Sequence, residues 1–86
     1  MNKIKGKEFK TPGEFMDYTK TDEGREYVDN PDYCKRDQRT HSTVFVETGY
    51  GWFWIDFKYE SYSDEFFENR QQALEDLKVF QKSNQA

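Results

Sequence analysis

One thiol, Cys34, and one imidazole, His41, lie seven positions apart and are the only residues of their kinds in the chain. The chemistry such a pair could do is nucleophilic attack assisted by a general base, and it requires the intervening segment to fold back on itself. A half-buried thiol and a loop histidine are the plainer reading. Zinc asks for three or four Cys or His ligands at short spacings, which two residues do not supply. Asp29-Asn30-Pro31-Asp32 lacks both the alternating ligands and the sixth-position glycine of a calcium loop. No glycine-rich loop precedes a helix, so neither a phosphate cradle nor a nucleophile elbow is present. Neighbouring carboxylates such as Asp22/Glu23 and Asp64/Glu65 would need a pocket that raises one pKa before they could share acid–base work. This inventory points away from an enzyme and calls for no cofactor and no metal.

Charge carries more information. The chain of 86 residues has a net charge of −4, yet its first ten residues hold Lys3, Lys5, Lys7 and Lys10 against Glu8 alone, which leaves −7 for everything after them. From Glu14 to Asp32 seven acidic residues, among them Asp22, Glu23, Glu26 and Asp29, face only Lys20 and Arg25. From Glu47 to Glu68 six acidic residues face only Lys58, and in Tyr59-Glu-Ser-Tyr-Ser-Asp-Glu-Phe-Phe-Glu68 they interleave with aromatics. Aromatics in that segment could anchor it to a sheet while Asp64, Glu65 and Glu68 stand out from it. A fixed negative array repels nucleic-acid phosphates and attracts a basic groove. The alternative is that the carboxylates simply keep a small aromatic-rich domain dispersed.

The elements that would position these groups follow from local signals. Residues 1–10 form a basic N-terminal arm, and 11–86 a single small domain. Sixteen aromatic residues, each able to bury on the order of 150–250 Å², supply most of the core. Thr11-Pro12-Gly13-Glu14 is a helix start, with Thr as N-cap, Pro at the first helical position and Glu three residues on. Phe15 and Met16 would line the buried side of that helix, Gly24 would end or bend it, and a second short helical stretch would run from Thr21 to Val28 before Asn30-Pro31. Residues 32–42 are polar and mixed in charge, which predicts a loop. Thr43–Thr48 alternates with β-branched residues, Gly49-Tyr50-Gly51 has the composition of a tight turn, and Trp52–Tyr59 returns as the partner strand. Residues 61–68 would add a short third strand. Asn69 caps a last helix to about Gln81, with Ala73, Leu74, Leu77 and Phe80 at helical spacing. The fold class is therefore α+β: an N-terminal helix, a two- or three-stranded antiparallel β-meander, and a C-terminal helix packed on the sheet.

Alternation along the returning strand puts Phe53, Ile55, Phe57 and Tyr59 on one side and Trp52, Trp54, Asp56 and Lys58 on the other. The first side is free of charge and is the expected seat of the Leu74/Leu77/Phe80 stripe. On the second, a two-residue turn would set Phe45 opposite Trp54 and Glu47 opposite Trp52, whereas a three-residue turn would bring Val44 and Val46 there. Either the N-terminal helix covers this Trp face with Phe15 and Met16, or Trp52, Trp54 and Phe45 form a surface for a partner or for a second copy of the chain.

A single cysteine, no basic-then-apolar leader and no run approaching the roughly 20 apolar residues of a membrane span predict a cytoplasmic protein. The initial Met and the lack of repeats or linkers fit a complete short reading frame. The expected function is that of a small acidic protein-binding module, an inhibitor or modulator occupying a basic, nucleic-acid-binding surface of a partner protein. Its candidate contacts are Asp64/Glu65/Glu68, Asp22/Glu23/Glu26/Asp29 and the Trp52/Trp54 face with Phe45. Self-association through the Trp face is a variant of this reading. Single-strand nucleic-acid binding by stacking on the same face ranks below it, because the strand carries Asp56 beside Lys58 and leads into an acidic segment.

Overall fold

Gly49 and Tyr50 alone reverse the chain between the two central strands, so Phe45 pairs with Trp54 and Glu47 with Trp52. This is the two-residue alternative. The Thr48 hydroxyl fastens the reversal by accepting the Tyr50 N–H at 3.0 Å and donating to the Gly51 carbonyl at 2.9 Å. The left-handed backbone falls on Gly51, with φ of 132°, and not on the two turn residues. A side chain there would also meet the Phe67 carbonyl at 2.8 Å.

The computed structural model describes residues 1–84. Their order is α1 (Pro12–Thr19), α2 (Asp22–Val28), β1 (Cys34–Gln38), β2 (Thr43–Thr48), β3 (Gly51–Asp56), β4 (Ser61–Tyr62) and α3 (Arg70–Ser83). The strands form one antiparallel meander in the order β1-β2-β3-β4. The N-terminal helices lie on one side of it and α3 packs on the other, an α+β fold as expected.

The helix starts act as their residues predict. The Thr11 hydroxyl accepts the Glu14 N–H at 3.3 Å, the Thr21 hydroxyl accepts the Gly24 N–H at 3.0 Å, and Asn69 Oδ1 accepts the Gln72 N–H at 2.9 Å. Each such cap contributes about 1 kcal/mol. Glu14 closes its capping box one residue early, on the Lys10 N–H at 2.8 Å. Gly24 does not end the first helix. It lies inside α2, pressed so closely on α1 that a Cβ would sit 1.9 Å from the Tyr18 carbonyl oxygen. Pairing of the two short helices thus depends on that position having no side chain.

Three expectations about the strands change. Residues 34–38 form an edge strand, not a loop. Only Cys34 is buried there; the rest are exposed charged or polar residues, two of them in ion pairs, Arg36 with Asp29 and Asp37 with Arg70. Charge on both faces suits an edge, where it discourages pairing with other chains. The third strand of the expected meander is present as β4 but has only two residues.

The helices also take opposite faces from those expected. Phe45 and Trp54 bury against Ala73 and Leu77 of α3, with Trp52, Phe67, Leu74 and Phe80 around them. Val44, Val46 and Phe53 bury against Phe15 of α1, with Phe9, Met16, Tyr50 and Ile55 around them. Alternation assigns side chains to faces correctly but is silent on which helix takes which face when both are apolar. The indole breaks the tie, since a buried N–H needs an acceptor and α3 provides one: Trp54 Nε1 donates to Asp76 Oδ2 at 2.8 Å.

Finally, β3 stops at Asp56. Its buried carboxylate accepts the N–H groups of Lys58 and Tyr59 at 2.9 and 3.3 Å and turns the chain. Phe57 is thereby left 57% exposed, while Tyr59 swings to the α3 side against Phe80, ring centroids 5.7 Å apart. The N-terminal arm is docked as well. Ile4 is buried, its N–H donates to the Tyr50 hydroxyl at 3.1 Å, and that hydroxyl donates to the Lys7 carbonyl at 2.7 Å.

Candidate functional site

The segment from Tyr59 to Asn69 runs along the β3 edge of the sheet and is fastened at both ends. At its start, Ser61 and Tyr62 pair with Asp56 and Ile55, and the Ser63 N–H donates to the Trp54 carbonyl at 3.1 Å. At its end, Trp52 and Phe67 exchange two backbone hydrogen bonds of 2.7 Å each. Between these points the buried Ser63 hydroxyl donates to the Glu65 carbonyl at 3.0 Å, which holds the intervening backbone in a tight bend. Beyond them the Glu68 N–H donates to the Gln72 side chain at 2.9 Å, which ties the segment to the first turn of α3.

The two adjacent phenylalanines account for the placement. Phe66 enters the face under the N-terminal helices, edge-on to Phe53 at 5.8 Å between centroids, and Phe67 enters the α3 face. They straddle the sheet edge. With Phe66 and Phe67 committed inward, Asp64, Glu65 and Glu68 stand in solvent. None of the three lies within ion-pair distance of a Lys or Arg among the described residues. The result is a strip of negative charge on a hydrogen-bonded backbone.

The second acidic cluster is arranged differently. Asp22 pairs with Arg25 at 3.4 Å, one turn on, and Asp29 pairs with Arg36 of β1 at 2.9 Å. Glu23 and Glu26 are exposed, but they sit near Tyr18, whose hydroxyl is buried without a hydrogen-bond partner. Burial first, and then the nearby Glu23 carboxylate, push that phenol up to about 12. Most of the α2 charge is thus coupled to the protein's own groups.

Of the aromatic candidates, Phe45 and Trp54 are 0% and 2% exposed and lie beneath α3, so neither presents a contact surface in this fold. The expectation of a Trp face open to a partner, to a second copy or to stacked bases is corrected accordingly. Its cover is α3, not the N-terminal helix. Trp52 alone is half-buried, at the rim of a shallow depression that it shares with Glu47, Phe67 and Glu68. The structure therefore brings Trp52 and Glu68 together at a depression that Trp54 does not line.

Cys34 begins β1 and His41 lies beyond that strand's far end, in the connection to β2, so they form no nucleophile–base pair. Burial pushes the Cys34 thiol up, away from the thiolate that would react. Among the described residues no group of three or more His, Cys, Asp or Glu side chains could hold a metal ion, and no helix is long and apolar enough to cross a membrane. Sequence reasoning missed Asp76 and Tyr62. A signal for Asp76 existed, since it shares the helical face of Ala73, Leu77 and Phe80 and was the one acidic residue on that stripe. No family model matches the chain, and neither a curated protein nor a solved structure matches it.

Proposed function

We propose that the protein is an acidic binding module that occupies a basic surface of a partner protein, acting as an inhibitor or modulator of whatever that surface normally engages. The observation that carries this reading is the outward strip of Asp64, Glu65 and Glu68, unpaired within the described chain and held on backbone bonded to β3 at both ends. Acidic residues on a backbone already held in place lose less freedom on binding, and a patch of one sign steers an oppositely charged partner during approach. A basic groove that ordinarily holds DNA or RNA is the kind of surface such a strip fits. Its site of action would be the cytoplasm, where the buried thiol of Cys34 stays reduced.

Affinity capture from a lysate of the source cell, washed at low and then high salt, tests this. Wild type is compared with a folded protein carrying lysine at positions 64, 65 and 68. A basic partner released by salt from wild type and never held by the variant supports the reading. A partner that both proteins retain at high salt contradicts it.

A further inference from the structure

Next to the acidic strip, between β4 and α3, lies a cleft of about 250 Å³. Tyr62, Phe80 and Val79 line it with the almost wholly buried Trp54 behind them, together with Asp64 and Asp76. Tyr62 and Val79 are 40% and 65% exposed at the mouth, a large apolar share for a chain so rich in charge. Phe80 lies over the indole, 4.7 Å between centroids. Asp76 is not a freely swinging surface acid. Its bond from the Trp54 indole fixes the carboxylate's orientation and engages one of its two oxygens.

Aromatic walls beside two carboxylates, of which Asp76 is held by the indole, suit a delocalised cation, because the ring faces and the carboxylate oxygens both attract it. The protein already uses this chemistry once within itself. Arg70 lays its guanidinium over the Phe45 ring, 4.6 Å from the centroid, while its Nε bonds the Asp37 carboxylate. At the cleft the rings and the carboxylates recur, and no Lys or Arg of the described chain pairs with Asp64 or Asp76. The volume admits one long side chain and falls below the roughly 300–1,000 Å³ of a drug-sized ligand site.

We infer that this cleft is a socket for an arginine side chain of the partner protein, with Asp64 and Asp76 receiving the guanidinium and the Tyr62 and Phe80 rings flanking it. The inference rests on the binding-module reading and adds the residue the partner must present. Arginine is favoured over lysine because its planar head can stack on a ring while its N–H groups meet carboxylates.

The test is a nuclear magnetic resonance titration of the full chain with a blocked Gly-Arg-Gly peptide, beside its citrulline and lysine counterparts. Expected are saturable shifts of the Trp54 indole N–H and the Val79 methyls with the arginine peptide, none with neutral citrulline, and affinity at least threefold weaker with lysine. Asp76→Asn keeps an acceptor for the indole and Asp64→Asn lies on the surface, so both variants remain folded. Each should weaken binding by about threefold or more, and the pair by roughly tenfold. Shifts confined to the amides of residues 65–68 would overturn the socket while leaving the acidic strip in force. Equal response to citrulline or lysine would overturn the arginine assignment. No shift at all would also overturn the socket, whereas the strip stands or falls on the salt-eluted capture.

Discussion

The two acidic regions of this protein have similar composition and similar exposure, and differ in what their carboxylates are paired with. In α2, Asp22 and Asp29 are matched to Arg25 and Arg36, and Glu23 and Glu26 act on the buried hydroxyl of Tyr18. Along the β3 edge, Asp64, Glu65 and Glu68 have no such partners in the described chain and face outward. What separates them is the aromatic spacing. Phe66 and Phe67 sink to opposite faces of the sheet and leave the carboxylates no inward choice, whereas α2 exposes its acids on a short helix within reach of arginine. A count of charges does not distinguish a surface that serves the fold from one available to a partner. The positions of the cations and rings around it do.

The largest effect should come from removing the floor beneath the acidic edge. Trp54→Ala deletes a buried indole and leaves the Asp76 carboxylate without its donor, and it should cost about 3–5 kcal/mol in urea unfolding. Loss of less than 1 kcal/mol would mean that α3 does not seat on this face. Phe67→Ala should cost roughly 2–3 kcal/mol, less because the ring is only partly buried. It should also speed hydrogen exchange at the Trp52 and Phe67 amides relative to those of α2, turning the fixed strip into a mobile one. Asn69→Ala removes the cap where the strip enters α3 and should cost about 1 kcal/mol, again with its exchange signature at the strip and not in α2.

The smallest effect probes the α2 cluster. Because folding raises the Tyr18 pKa from 10.0 to about 12, the unfolded chain gives up this proton first as pH rises. The stabilisation is complete below pH 10 and is lost between 10 and 12. Phenolate absorbance should show Tyr18 titrating late, alongside Tyr50, whose phenol burial also pushes up, and Glu23→Gln should bring Tyr18 down, while Glu65→Gln leaves it unmoved. A Tyr18 titration indifferent to Glu23 would erase the electrostatic distinction between the two regions.

Much of the fold was legible in the residues, and the reasons for the failures are physical. The β2–β3 hairpin followed from alternation, its register being one of the two that turn length allowed, and α3 from its Asn69 cap and the Ala73/Leu77/Phe80 spacing, because both signals are local. Strand β1 escaped notice because an edge strand with only Cys34 buried has no apolar alternation to read. The swap of faces escaped because Val44, Val46 and Phe53 are as apolar as Phe45 and Trp54, so the choice of helix rests on one long-range bond to Asp76. Phe57 was misplaced because Asp56 ends the strand with its own carboxylate. At the candidate site, the outward acids and inward phenylalanines of residues 64–68 were visible in their interleaving. The cleft beside them was not, since β4 and α3 bring its walls together from residues distant in sequence.

The most direct measurement is the association rate of the captured partner as a function of ionic strength, for wild type, for a strip variant with lysine at 64, 65 and 68, and for an α2 variant with lysine at 22, 23 and 26. The strip variant should associate at least about tenfold more slowly at low salt and lose most of the salt dependence, while the α2 variant stays within roughly threefold of wild type. Equal slowing in both, or slowing only in the α2 variant, would contradict the claim that the β3 edge is where this protein meets its partner.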